Sequence, residues 1–170
     1  VRVMHCYKAV TAVAVLLYAL WVLATPDQYH FISTVNLIFH EAGHTIFSFF
    51  GTFTHVAAGS AIQVLIPLIC AVAFWRQDDR FAVGLMIIWA GQALGEVAYY
   101  AKDAVAMRLD LLGGDDAIHD WNYLLQETGA LQYTPYIAYT LYACAVLLIV
   151  YGTARALHES FTTQYIADVV

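Results

Sequence analysis

The chain has 170 residues, 62% of them hydrophobic and 12% charged, and its mean hydropathy of +0.67 is that of a membrane protein rather than a soluble domain. The same composition excludes a disordered chain and a coiled coil, and a net charge of −6 leaves no basic stripe for a phosphate backbone, so nucleic acid is not an expected partner. Cys6, Cys70 and Cys144 are too widely spaced for a disulfide framework or a cysteine-rich metal site.

Apolar segments predict five membrane helices, over about 9–25, 31–50, 59–75, 81–101 and 135–154, giving an all-α polytopic protein with one membrane domain across 1–170. The first follows Arg2 and Lys8, is longer than a signal-peptide core and ends in a poor cleavage context at Pro26-Asp27, so it reads as a helix that stays in the bilayer. Breaks fall at Pro26-Asp27, over 51–59, at the charged 76–80 loop and at Gly113-Gly114. Five crossings place Arg2, Lys8, Lys102 and Arg108 on one side against Arg76, Arg80 and Arg155 on the other, which favours a cytoplasmic N-terminus by a single charge. Tyrosines and tryptophans near helix ends, such as Trp21, Tyr29, Trp75, Tyr99, Tyr133, Tyr136 and Tyr151, fit aromatic belts at the lipid headgroups.

The second apolar segment contains His40-Glu41-Ala42-Gly43-His44, an HExxH motif. Residues four apart share a helix face, so His40 and His44 can offer two imidazole nitrogens to one ion while Glu41 serves as general base. By chance the pattern arises in a chain of this composition with a probability on the order of one per cent, which makes it specific. A carboxylate within the bilayer also costs about 2.5 to 3.5 kcal/mol, so Glu41 calls for a compensating partner. The expected ion is Zn2+ or another divalent transition metal. The bland reading is a polar helix face, or a metal kept only for structure.

A tetrahedral site needs a third ligand, and the polar segment 102–134, expected to be interfacial or re-entrant, supplies candidates. His119 is the first choice, with Asp120 orienting a ring through its N–H, and Asp115 or Asp116 is the runner-up ligand. On the fourth helix Gln92, Glu96, Tyr99 or Tyr100, and Asp103 form a polar stripe that must face the interior. Glu96 then reads as a support to the metal ligands, a proton relay or a second-metal ligand, against a plain hydrogen-bonded contact to Asn36, Ser48 or Gln63. His5, His30, His55 and His158 lie near predicted helix ends and are assigned no role.

His40-Glu41-Ala42-Gly43-His44 within a membrane helix, with Gly59-Ser60-Ala61-Ile62-Gln63 opening the next, resembles the site-2 protease family of intramembrane zinc metalloproteases. That resemblance implies peptide hydrolysis and an acidic third ligand from a later Leu-Asp-Gly element, although Ser60 and Gln63 replace the family's Pro and Asn and Leu112-Gly113-Gly114-Asp115 places glycines before the acid. The stretch from His40 to Leu125, including Lys102-Asp103-Ala104 and Ile118-His119-Asp120-Trp121, resembles a group of small bacterial membrane proteins more closely and implies a shared site rather than a particular reaction. The leading expectation is a zinc peptidase-like protein of the bacterial cytoplasmic (inner) membrane, in contact with lipids and acting on a membrane-protein substrate. Two alternatives are an accessory subunit of a larger membrane complex with a structural metal, and a di-metal oxidoreductase using Glu96 and Asp103.

Overall fold

A computed structural model of the chain describes residues 2–112 and 118–163. Six α-helices dominate it: α1 (Cys6–Ala24), α2 (Phe31–Phe47), α3 (Thr52–Arg76), α4 (Arg80–Lys102), α5 (Asp120–Glu127) and α6 (Thr134–His158). A short antiparallel ladder joins β1 (Arg2–Met4) to β2 (Phe161–Thr163). The protein is therefore an all-α membrane bundle, and four of its helices, α1, α3, α4 and α6, are long and apolar enough to cross a bilayer.

The fifth apolar helix, α2, is different. Its 17 residues rise about 25 Å at 1.5 Å per residue, short of a 30 Å hydrocarbon core. Its first turn and its middle lie beside the C-terminal half of α4, and α3, which follows it, runs antiparallel to α4 and ends at Arg76 just before α4 begins. Ser33 in its first turn donates to Glu96, while His40 in its second half meets Asp120, whose backbone N–H bonds Tyr100 in the last turn of α4. The chain thus enters and leaves α2 at one end of the bundle.

That placement corrects the charge partition drawn from five crossings. The β1–β2 ladder brings the two terminal segments together, and Lys8 at the start of α1 lies 5.4 Å from the Phe81 ring at the start of α4. At the other end, Tyr99 Oη donates to Asp27 just beyond α1. Arg2, Lys8, Arg76, Arg80 and Arg155 therefore gather at one end of the bundle, with Lys102 and Arg108 at the other.

The helix boundaries follow local chemistry. Pro26 cannot continue α1, Gly51 turns the chain at a φ of 84°, and Asp79 caps α4 by accepting the Ala82 N–H. Helix α3 starts seven residues before the expected Gly59, because 52–58 carries no breaker and Gly59 is tolerated as a buried interior position. The polar segment contributes turns and then α5. Asp115 and Asp116 lie outside the described residues.

Candidate functional site

Helices α2 and α3 form a hairpin about the Ser48–Gly51 turn, so residues equidistant from the turn meet. Gly43 packs against Ala58, where a Cβ would lie 2.4 Å from the Ala58 carbonyl oxygen, and only glycine permits the approach. His40 and His44, four residues apart, stand side by side with ring centroids 4.7 Å apart. Their Nε2 atoms converge on Asp120 at the first turn of α5: Oδ2 lies 2.9 Å from His40 Nε2 and 3.2 Å from His44 Nε2. Among the described residues these three side chains form a group able to hold a metal ion.

The hydrogen bonds around the rings decide which nitrogens can bind. His44 Nδ1 lies 2.9 Å from the His55 carbonyl oxygen, which can only accept, so Nδ1 carries a proton and Nε2 is the nitrogen left to bind an ion. His40 Nδ1 lies 3.2 Å from Gln63 Oε1, and the Gln63 amide is oriented by its NH2 group, which faces the Ala93 carbonyl and Glu96 Oε2, each at 3.4 Å. Both Nε2 atoms then face one carboxylate oxygen in a largely buried space, at distances that require a positive charge between them. Without an ion that charge is a proton on Nε2 hydrogen-bonded to Asp120, and a metal cation can take its place. Gly59 supplies the room, since a Cβ there would come within 2.6 Å of His44 Nε2 and 2.7 Å of His40 Nε2. The residues present therefore fit a divalent metal.

Asp120 is 6% exposed. Burial pushes its carboxyl upward, but the hydrogen bonds from His40 and His44 outweigh that and hold it below the usual carboxylate range. Its position is fixed from several directions: its N–H donates to Tyr100 Oη at 3.0 Å, Trp121 Nε1 bonds Ser60 Oγ on α3 at 3.1 Å, and Asn122 Nδ2 bonds the Ala104 carbonyl at 2.7 Å.

Relative to the sequence expectation, the neighbours His119 and Asp120 exchange places. His119 is not in the group able to hold an ion; it caps α5 by accepting the Asn122 N–H at Nδ1, and its Nε2 is turned to Asp103 Oδ2 at 3.4 Å. The physical reason is that consecutive side chains at a helix start point apart, so when the ring folds over the helix end the next residue faces α2. Asp103 itself accepts the backbone N–H groups of Arg108 and Leu109, shaping the turn that leads to α5.

The polar stripe on α4 does face inward. Glu96 accepts from Ser33 Oγ at 2.5 Å, Asn36 Nδ2 at 2.6 Å and Gln63 Nε2 at 3.4 Å, so Asn36 and Gln63 of the expected contacts are present. Ser33 takes the place foreseen for Ser48, whose hydroxyl bonds the Thr45 carbonyl in its own turn. Gln92 Oε1 accepts from Asn36 at 2.9 Å, and Trp89 Nε1 donates to Asn36 Oδ1 at 2.8 Å. Glu41 is exposed and lines a cavity of about 780 Å3 together with His40, His44, His55, Asp120 and Tyr100. Sequence reasoning missed His55, which returns the bond it receives: its Nδ1 donates to the His44 carbonyl at 2.8 Å. The available signal was symmetry about the 48–51 turn. The chain matches no protein-family model, no curated protein and no solved structure.

Proposed function

We propose that this protein is a zinc-dependent, peptidase-like hydrolase embedded in the bacterial inner membrane. The observation that carries the reading is the convergence of two imidazole Nε2 nitrogens and one carboxylate at a cavity that Glu41 also lines. Nitrogen and oxygen donors in a group of three suit Zn2+ with one position left open. The two-histidine, one-aspartate set agrees with the acidic third ligand that the site-2 protease resemblance implies, with Asp120 rather than the Leu112–Asp115 element supplying it. When bound, the ion supplies Lewis acidity to a water and to the substrate carbonyl. Glu41 takes the proton released by the attacking water and returns it to the leaving amine. Leu23, Leu37, Val56, Leu111 and Ile118 along the cavity favour an apolar, membrane-resident peptide segment as substrate.

The accessory-subunit reading, with a structural ion, is disfavoured by the same cavity, since structural zinc sites are closed. The di-metal reading is disfavoured because Glu96 and Asp103 are committed to other donors. Five cationic residues at the end bearing both terminal segments, against two at the other, favour cytoplasmic termini, which places the site toward the outer leaflet.

Two measurements test the reading. Protein purified in detergent without chelators should hold about one equivalent of zinc by elemental analysis, and a content below about 0.1 equivalent removes the metal. Glu41→Gln should keep the ion while lowering turnover about 10²- to 10⁴-fold, read as cleavage products that appear in membrane peptides of cells with the wild type and not the variant. Identical peptide sets from both cells overturn hydrolysis.

A further inference from the structure

The cavity holds hydroxyl and amide donors, and several are already committed. Ser33 donates to Glu96, Tyr99 to Asp27, and Gln63 to Ala93 and Glu96. The side chains of Gln28, Tyr142 and Tyr100 show no such acceptor among the described residues, and of the three Tyr100 is the one set against His40 and Asp120. Its Oη accepts the Asp120 N–H at 3.0 Å, and its own proton has no acceptor among the described residues. The ring is held between His40, at a centroid distance of 6.0 Å, and His119, at 4.5 Å, and it lines the cavity beside Glu41 and Asp120. Among the described residues no lysine or arginine lines that cavity to meet a developing negative charge.

We propose that Tyr100 is a further catalytic residue, whose phenol O–H hydrogen-bonds the substrate oxygen that gains negative charge as water adds to the carbonyl. The inference rests on the hydrolase reading above. In that step the water oxygen bonds to the carbonyl carbon, its proton passes to Glu41, and the carbonyl electron pair moves onto the oxygen. Tyr100 keeps its proton and donates a hydrogen bond that strengthens as the charge forms. Its bond from the Asp120 N–H fixes the phenol oxygen relative to a metal-binding side chain.

The test uses the zinc-loaded full chain in detergent and an apolar dipeptide phosphonamidate, whose tetrahedral anionic oxygens imitate that charge. Tyr100→Phe keeps the ring and removes only the hydroxyl. It should retain the zinc content and thermal midpoint of the wild type while binding the phosphonamidate about 10- to 100-fold more weakly. Equal binding by the two proteins overturns the proposal. Loss of zinc from Tyr100→Phe also overturns it, by making Tyr100 a support for Asp120. A zinc-loaded wild type that fails to bind the phosphonamidate instead brings down the hydrolase reading and this inference with it, and that failure is visible before the variant is made.

Discussion

Along the seam between α4 and α6, Gly84 faces Gly152 and Ala156, Gly91 faces Ala145, and Ile88 and Ile149 fill the space between. At the corner where α2, α3, α4 and α5 meet, by contrast, His40, His44, Gln63, Glu96 and Asp120 surround an open cavity. Lipid tails are as apolar as leucine, so helices gain little from hiding apolar surface from lipid and adhere through close van der Waals contact. The seam does this by bringing backbones together. The corner gives up close packing for polar groups that must be satisfied one by one, and α2, too short to span, is anchored there by hydrogen bonds. The lesson is that close backbone packing and the polar cluster occupy different helix pairs, so substitutions in the two regions should separate metal content from folding.

The largest effect is expected at the corner. Asp120→Ala should abolish zinc retention in elemental analysis while leaving helix content by circular dichroism unchanged. His119→Ala loses the cap on α5 and should weaken affinity only about 10- to 100-fold, the range for a supporting group. Complete zinc loss in His119→Ala with retention in Asp120→Ala would return the ligand role to the histidine.

Gly59→Ala sharpens the contrast within a single helix. A methyl there enters the space next to both Nε2 atoms, so zinc affinity should fall by at least about tenfold. Alanine is about 1 kcal/mol better than glycine in a helix interior, so the thermal midpoint of the metal-free protein should not drop. A variant with normal zinc affinity would show that the ion sits elsewhere.

The seam should behave oppositely. A Cβ on Gly152 would lie 2.7 Å from the Gly84 carbonyl oxygen, and backbone cannot turn aside as a side chain can. Gly152→Leu is expected to destabilise the bundle by about 1–3 kcal/mol, measured as a lower midpoint in a detergent denaturation series, with zinc stoichiometry per folded molecule unchanged. Metal loss ahead of unfolding would show that the two regions are coupled.

The smallest effect concerns acid. Asp120 in the metal-free protein has its carboxyl held low by His40 and His44. Its contribution to docking α5 is therefore fully present above the unfolded carboxylate value of about 4 and is lost as pH falls through the lowered value. Amide exchange over residues 119–127, corrected for intrinsic rates, should show protection lost below that range in the wild type. Asp120→Asn should show no such step, and an identical step in both proteins would assign the acid transition to another group.

The helix class, the apolar spans and the His40–Glu41–His44 face were legible because each depends on local spacing: apolar runs long enough for the bilayer, and two imidazoles one turn apart. Inward orientation of Gln92 and Glu96 was legible for the same reason, since a bilayer rejects such groups elsewhere. What the tertiary structure decided concerns residues far apart in sequence. Whether His119 or Asp120 reaches the histidines depends on a rotation of less than half a turn at the start of α5, and that is fixed by Tyr100, Ser60 and Ala104 on other elements. Gly59 reads as a breaker from sequence and becomes the space beside both Nε2 atoms only once α2 lies against it. The grouping of Arg76 and Arg80 with both terminal segments required knowing that α2 returns to the end it started from. A hydropathy pattern marks apolar length, while the side of the membrane on which a short helix ends is set by the hydrogen bonds that hold it to its neighbours.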